Sequence, residues 1–146
     1  EPRRPGPRDR RLLLGRPPLG HRGEELVLEF EQKRLHDVER RPDLAKRVEW
    51  TSQVRGDGAG YDVSSFNSDG SRRVIEVKTT GLGKYFPFNI TANEVRCSEA
   101  LPDEFQLYRV FNFGPDARLY QLPDPVSRTC HLDPAQYRAF VESPGS

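Results

Sequence analysis

One stretch, residues 72–80 (RRVIEVKTT), constrains the fold more than any other part of the chain. Val74, Ile75 and Val77 are β-branched and favour an extended backbone. Because side chains alternate between the two faces of a strand, Glu76 and Lys78 share one face. Such a pair belongs either to an exposed edge strand, where it would stabilise little, or to a site with a chemical function.

A second acidic residue, Asp62, favours the functional interpretation. Between Asp62 and the strand lies a turn-rich connection at residues 67–71 (NSDGS), which predicts a β-hairpin. We expect the hairpin to bring Asp62 close to Glu76 at the end of the sheet. Two convergent carboxylates and a lysine are suited to holding Mg²⁺ and activating water.

The charge distribution is more informative than the net charge of +1. The first 22 residues contain seven arginines and two acidic residues, and residues 1–19 are rich in Arg, Pro and Gly. We interpret residues 1–19 as a linker or tail, with a phosphate-binding basic arm as the alternative. The 146 residues suffice for one domain with its own core.

Other features exclude membrane and zinc functions. The chain has no apolar run long enough to span a bilayer. Cys97 and Cys130 lack the spacing of paired zinc ligands, so we expect reduced thiols in a cytoplasmic protein. The absence of Met and the start at Glu1 lead us to expect a piece of a longer chain.

The remaining patterns predict an α/β fold with a mixed central sheet flanked by helices. Thr91 and Glu94 form a capping box at the start of one helix, with substrate contact as the alternative role. Predicted helices cover residues 23–40, 92–100 and, in the C-terminal extension, 133–141. Predicted extended segments cover residues 48–52 (with Trp50 in the core), 61–62, 72–80, 86–90, 105–113 and 118–122.

The role of Glu24 is left open by the residues alone. It lies on the apolar stripe of the first helix, where it would be either a first-turn partner of the helix dipole or a third acidic residue at the metal site.

Six sequence blocks together carry a family resemblance. Over residues 20–122 the chain resembles the C-terminal domain of the NO VEIN family, which usually ends a longer protein, and residues 123–146 are then a C-terminal extension. That family in turn resembles the PD-(D/E)XK nucleases, in particular the Mrr-like restriction endonucleases with an αβββαβ core. The blocks are residues 20–24, 48–50, 56–62, 75–80, 90–94 and 107–111.

The resemblance implies roles for four residues. Asp62 and Glu76 would bind Mg²⁺ or Mn²⁺, Lys78 would be the lysine of the motif, and Glu24 would match the helix glutamate of many such sites. Tyr61 stands where the superfamily name has proline, a position that varies.

Under the same resemblance, Thr79 and Thr80 would be candidates for phosphate contact, although strand propensity also explains them. The aromatic loop with Lys84 and Tyr85 would be a candidate for nucleic-acid contacts.

The resemblance also implies partners. Nucleic acid, with DNA expected, would be the substrate, an upstream ATPase or helicase domain would belong to the same protein, and a second copy could pair to cut both strands. Defence against foreign DNA is the expected setting. The alternative is a binding module that keeps the scaffold and cuts nothing.

Overall fold

A four-stranded mixed sheet forms the centre of the protein, and a computed structural model describes residues 17–145. The strands lie in the order β1-β2-β3-β4. β1 and β2 are antiparallel, β2 and β3 are parallel, and β3 and β4 are antiparallel. The α/β class predicted from the sequence is therefore confirmed. The strands are β1 (Val63–Phe66), β2 (Arg72–Thr79), β3 (Phe105–Phe111) and β4 (Arg118–Pro123).

Five α-helices accompany the sheet in the part of the chain that the structure describes. Among them, α1 continues beyond its last residue into a π-helical turn at Arg34–Val38. No helix of residues 17–145 is long and apolar enough to cross a membrane. The helices are α1 (Leu19–Lys33), α2 (Pro42–Ala45), α3 (Thr51–Arg55), α4 (Ala92–Ala100) and α5 (Val126–Thr129).

Helix α1 covers one face of the sheet. Val27 is fully buried against Ile75, Val77 and other apolar side chains of that face. Gly23 permits this close approach, because a Cβ atom at this position would lie 1.8 Å from Thr79 Oγ1. The helix can therefore lie directly on β2 only with glycine at this turn.

Helix α4 provides the crossover between the parallel strands β2 and β3, which a tight turn cannot connect. The predicted capping box is present: Thr91 Oγ1 accepts a hydrogen bond from the Glu94 backbone N–H, and the Glu94 carboxylate accepts one from the Thr91 N–H. The helix and its flanking segments cover the second face, where Val74, Phe105 and Leu107 are buried.

The predicted strand at residues 48–52 is wrong. Only Glu49 pairs with the sheet, through a single bridge to Ser64, and α3 begins at Thr51. The helical turn lets the Ser52 N–H donate to the Asp62 carbonyl, a contact that a continued strand would not make. Trp50 is half-buried rather than a core residue.

Three further boundaries differ from the predictions. Residues 86–90 form no strand, and Asp62 directly precedes β1 instead of lying within it. The predicted helix at 133–141 is absent, since Tyr137, Phe140 and Val141 remain exposed and no surface buries an apolar face there. The linker, or alternatively the basic arm, predicted at residues 1–19 falls mostly on residues 1–16, which lie outside the described residues.

Candidate active site

The hairpin of β1 and β2 places Asp62 beside Glu76. Val63 pairs with Ile75 at the end of the ladder, and Asp62 is the residue just before this pair. The Asp62 N–H donates to the Ile75 carbonyl at 2.8 Å, and the Val77 N–H donates to Asp62 Oδ2 at 2.8 Å. These two main-chain bonds fix the Asp62 carboxylate at the edge of β2.

Glu76 is almost completely buried, with 4% of its surface exposed. Burial raises the pKa of this carboxyl to about 10, and the Asp62 charge adds to the effect, while Lys78 opposes it. Without a bound cation, the Glu76 side chain therefore favours its neutral form at pH 7. A cation at this position would reverse that preference, because it would compensate the charge of the ionised form.

The Asp62 carboxyl shows the same tendency. Burial raises its pKa to about 7; the Val77 N–H lowers it and the neighbouring Glu24 raises it. Three carboxyl groups are thus close enough for their charges to interact, or to share hydrogen bonds, in a poorly solvated region.

Glu24 reaches this region from α1. Its Oε1 accepts hydrogen bonds from Ser52 Oγ at 2.5 Å and Trp50 Nε1 at 3.3 Å, and its carboxyl contacts Asp62. The first-turn dipole role is wrong, because α1 begins at Leu19 and its first turn contains no acidic residue. The half-buried Trp50 and Ser52, which sequence analysis assigned to a strand, orient this carboxylate.

Lys78 lies between two carboxylates. Its Nζ is 3.1 Å from Glu76 Oε1 and 2.5 Å from Glu94 Oε1. Burial alone would lower the pKa of the ammonium, but the two carboxylates outweigh burial and raise it. The sequence predicts Glu94 mainly as a helix-capping residue. Because the capping-box pattern already explains this glutamate, the sequence gives no separate signal for its contact with Lys78.

We call this group the acidic centre. It contains four carboxyl groups and one ammonium group, and it joins α1, the start of β1, β2 and the first turn of α4. Its members are Glu24, Asp62, Glu76, Lys78 and Glu94.

The other sequence-predicted site residues lie around the acidic centre with different degrees of exposure. Thr79 packs against Gly23, and its buried Oγ1 has no hydrogen-bond partner. Thr80 is buried and its Oγ1 accepts a hydrogen bond from the Leu82 N–H. Lys84 and Tyr85 lie in the exposed loop after β2, with the Lys84 ammonium over the Tyr85 ring.

The donor set of the acidic centre suits a hard divalent cation. No group of three or more His, Cys, Asp or Glu side chains within residues 17–145 is arranged as a preformed metal cage. Mg²⁺ does not require one, since it keeps several waters and is commonly bound by one or two carboxylates. Asp62 and Glu76 supply one half-buried and one buried carboxylate, whose mutual repulsion such an ion would relieve.

Comparison with known proteins identifies the family. Residues 23–122 match the family described as "Protein NO VEIN, C-terminal", which covers most of the chain and includes the whole acidic centre. No curated protein and no solved structure gives a significant match. The chain therefore belongs to the NO VEIN C-terminal family.

Proposed function

We propose that this domain is a Mg²⁺- or Mn²⁺-dependent nuclease that hydrolyses phosphodiester bonds of nucleic acid, with DNA as the expected substrate. The observation that carries the proposal is the convergence of Asp62, Glu76 and Lys78 in a buried cluster with excess negative charge. Burying uncompensated carboxylates is costly for a fold and is typical of functional sites.

The residues divide the work in this proposal. Asp62 and Glu76 would hold the ion, with Glu24 beside Asp62 as a further acidic group. The chemistry supplied by bound Mg²⁺ would be a lower pKa for a coordinated water and compensation of charge on the phosphoryl oxygens. Lys78 would orient the attacking water and stabilise the negative charge that develops on the phosphate.

The raised pKa of Lys78 is consistent with that role. An ammonium held by Glu76 and Glu94 stays protonated at neutral pH, so it serves as a fixed positive charge and not as a general base. Because Glu94 also caps α4, the position of Lys78 is tied to the folded helix.

The wider setting belongs to the same proposal. The domain would act as the C-terminal part of a larger cytoplasmic protein, with an ATPase or helicase domain upstream and a second copy for double-strand cutting. A role in defence against foreign DNA is added by analogy with the company that such bacterial domains keep.

The test combines metal titration with cleavage. We expect calorimetric titration to detect Mg²⁺ or Mn²⁺ binding to the wild type and not to Asp62→Asn, and plasmid cleavage to fall by at least about a hundredfold in Asp62→Asn and Lys78→Ala. Asp103→Asn, which changes an exposed carboxylate outside the centre, is the matched control and should bind and cut like the wild type. Absence of metal binding to the wild type would overturn the proposal.

A second candidate function is a silent binding module on the same scaffold. The observation that favours it is that Glu76 and Glu94 already compensate the Lys78 charge without any ion. In that case the acidic centre would be structural, and Asp62→Asn would leave nucleic-acid binding unchanged while the wild type would show no cleavage with either metal.

A further inference from the structure

A cleft of about 330 Å³ shares Lys78 with the acidic centre. It lies between β2, β3 and the loop that follows β2, and Lys78, Arg109 and Phe86 line it. Lys78 and Arg109 are direct partners in the parallel register, so their side chains share one face of the sheet. The cleft therefore starts at the lysine of the proposed site and leads to a second cation.

Arg109 is an unusual residue for a core. It is 1% exposed, and its Nη2 donates to the Phe86 carbonyl at 2.8 Å while its guanidinium lies 5.1 Å from the centre of the Phe88 ring. Its Nε has no hydrogen-bond partner. Within residues 17–145 the Tyr120 side chain is a further hydrogen-bonding neighbour of the guanidinium, and no carboxylate forms an ion pair with it.

A buried guanidinium without an anionic partner costs free energy unless a ligand supplies one. Burial lowers the pKa of Arg109, which is the direction expected for an uncompensated cation. An arginine presents planar N–H donors that match the oxygens of a phosphate group. The guanidinium lines the cleft and its Nε is buried without a hydrogen-bond partner, so a phosphate in the cleft would supply the missing acceptor.

The rim of the cleft is aromatic. Phe86 is 50% exposed although it lines the cleft, and Tyr85 beside it is 87% exposed. Exposed aromatic rings next to a phosphate-binding cation are typical of surfaces on which unpaired bases stack. The stacked bases of a duplex present their edges, not their faces, to a protein surface.

We infer that this cleft binds one nucleotide of an unpaired strand, with its phosphate on Arg109 and its base on Phe86. The inference rests on the proposed function, since it identifies the neighbouring subsite and the strand form of the same substrate. An unpaired nucleotide at Arg109 would lead the chain past Lys78 into the acidic centre.

The experiment measures binding of a short fluorescein-labelled thymidine oligonucleotide, and of its duplex with adenine oligonucleotide, by fluorescence anisotropy in EDTA. We expect Phe86→Ala to weaken single-strand binding by about fivefold to a hundredfold, the range for loss of one base stack. The substitution leaves the main-chain carbonyl that binds Arg109 in place. Phe140→Ala, at another highly exposed phenylalanine, is the matched control and should bind like the wild type.

The phosphate contact is tested with Arg109→Gln. We expect at least about tenfold weaker binding and a decrease of roughly 0.7 in the slope of log affinity against log salt, as for one phosphate contact on a single strand. Lys33→Gln removes one exposed positive charge near the far end of α1 and should leave both quantities unchanged. Thermal unfolding monitors whether Arg109→Gln folds; if it does not, the Phe86→Ala result and displacement by thymidine monophosphate decide.

The outcomes separate this inference from the proposed function. Duplex binding as tight as single-strand binding, with no effect of Phe86→Ala, would overturn the inference even if the protein cuts DNA. Displacement by inorganic phosphate at the same concentration as by thymidine monophosphate would overturn it too, because the base would then contribute nothing. Binding that depends on Phe86 and Arg109 without cleavage in Mg²⁺ would support the cleft and refute the nuclease.

Discussion

Two clusters of buried charged side chains lie on opposite faces of β2, and only one of them is balanced. The second cluster, which we call the arginine network, contains two arginines, two glutamates and a tyrosine. In the acidic centre four carboxyls face one ammonium. The members of the arginine network are Glu31, Arg34, Glu39, Arg73 and Tyr108.

The arginine network satisfies its own charges. Arg34 donates twice to the fully buried Glu31, at 2.8 and 2.9 Å, and once to the Phe66 carbonyl. Arg73 donates to the Tyr108 hydroxyl at 2.8 Å and lies 3.8 Å from Glu31. Such an arrangement fastens α1 to the hairpin and needs no ligand.

The comparison contrasts a structural cluster with the candidate site of the same small domain. Both clusters are buried and both contain an acidic residue of α1. In the arginine network each carboxylate has a cation beside it, whereas in the acidic centre Asp62 has a second carboxyl as its neighbour. Excess charge of one sign, and not burial itself, points to a bound counter-ion.

The largest expected effect comes from breaking the arginine network. Glu31→Gln removes the carboxylate that accepts two hydrogen bonds from Arg34 and leaves only the more distant Glu39, so we expect a loss of about 3–5 kcal/mol in the free energy of unfolding. Urea denaturation measures it. Glu29→Gln, an exposed position on the same helix, should change stability by less than about 0.5 kcal/mol. A loss below about 1 kcal/mol for Glu31→Gln would mean that the network is not structural.

The same substitution in the acidic centre should have the opposite sign. The pKa of Glu76 is about 10 in the folded protein against an ordinary value of 4.5, so the folded state binds a proton that the unfolded state loses. The resulting penalty is absent below pH 4.5 and grows as the pH rises toward 10. Without metal at pH 8, we expect Glu76→Gln to be more stable than the wild type by about 1–3 kcal/mol.

Urea denaturation in EDTA at pH 5 and pH 8 measures this difference. It should be small at pH 5 and larger at pH 8. The raised pKa of Asp62 adds a penalty of the same sign between about pH 4 and 7, which Asp62→Asn isolates. A pH-independent difference for Glu76→Gln would contradict the assignment of Glu76 as a buried carboxyl whose charge Lys78 compensates only in part.

Metal should distinguish the two clusters by a smaller effect. Free Mg²⁺ at ten times its dissociation constant stabilises the binding state by about 1.4 kcal/mol, a rise of roughly 5 °C in Tm for a domain of this size. We expect this rise in the wild type and in Glu31→Gln, and its loss in Asp62→Asn. Differential scanning calorimetry with Mg²⁺, and with K⁺ at equal ionic strength, separates binding from screening. A rise that persists in Asp62→Asn would place the ion elsewhere.

The parts of the fold that could be predicted from sequence depend on local patterns. The β-branched residues of β2, the turn at residues 67–71 and the capping box of α4 each contain their own signal, and all three are present. The strand prediction for residues 48–52 was wrong because contacts that only the folded chain provides outweigh the strand-like composition. These are the hydrogen bonds of Ser52 with Asp62 and Glu24.

The site was predictable to the same extent. Asp62 and Glu76 come together because the hairpin register follows from the turn, so their proximity could be predicted. The contact of Glu94 with Lys78, and the isolation of Arg109 from any carboxylate of the described chain, depend on the crossover through α4 and the loop before it. No spacing in the sequence encodes that geometry.

The smallest expected effect separates the two roles of Glu94. Thr91→Ala removes the side-chain cap of α4 and should cost about 1 kcal/mol of stability while leaving the Glu94 charge in place. Glu94→Gln keeps an acceptor for the Thr91 N–H, so stability should change less than in Thr91→Ala. It removes the negative charge that lies 2.5 Å from Lys78 Nζ. The pKa of Lys78 should fall in Glu94→Gln, because Glu94 is one of the groups that raise it.

Titration of ¹³C-dimethylated lysines by NMR measures this pKa directly and requires no enzymatic activity, with Lys78→Arg assigning the signal. We expect a shift to lower pH in Glu94→Gln and none in Thr91→Ala. Equal shifts in both variants would mean that the folded start of α4 acts on Lys78 as a whole, and Glu94 would then be a capping residue. A shift confined to Glu94→Gln would show that the charge of Glu94 helps to keep Lys78 protonated as a fixed cation. Lys78 is the single cation of the acidic centre, whereas the arginine network has two arginines to balance its carboxylates.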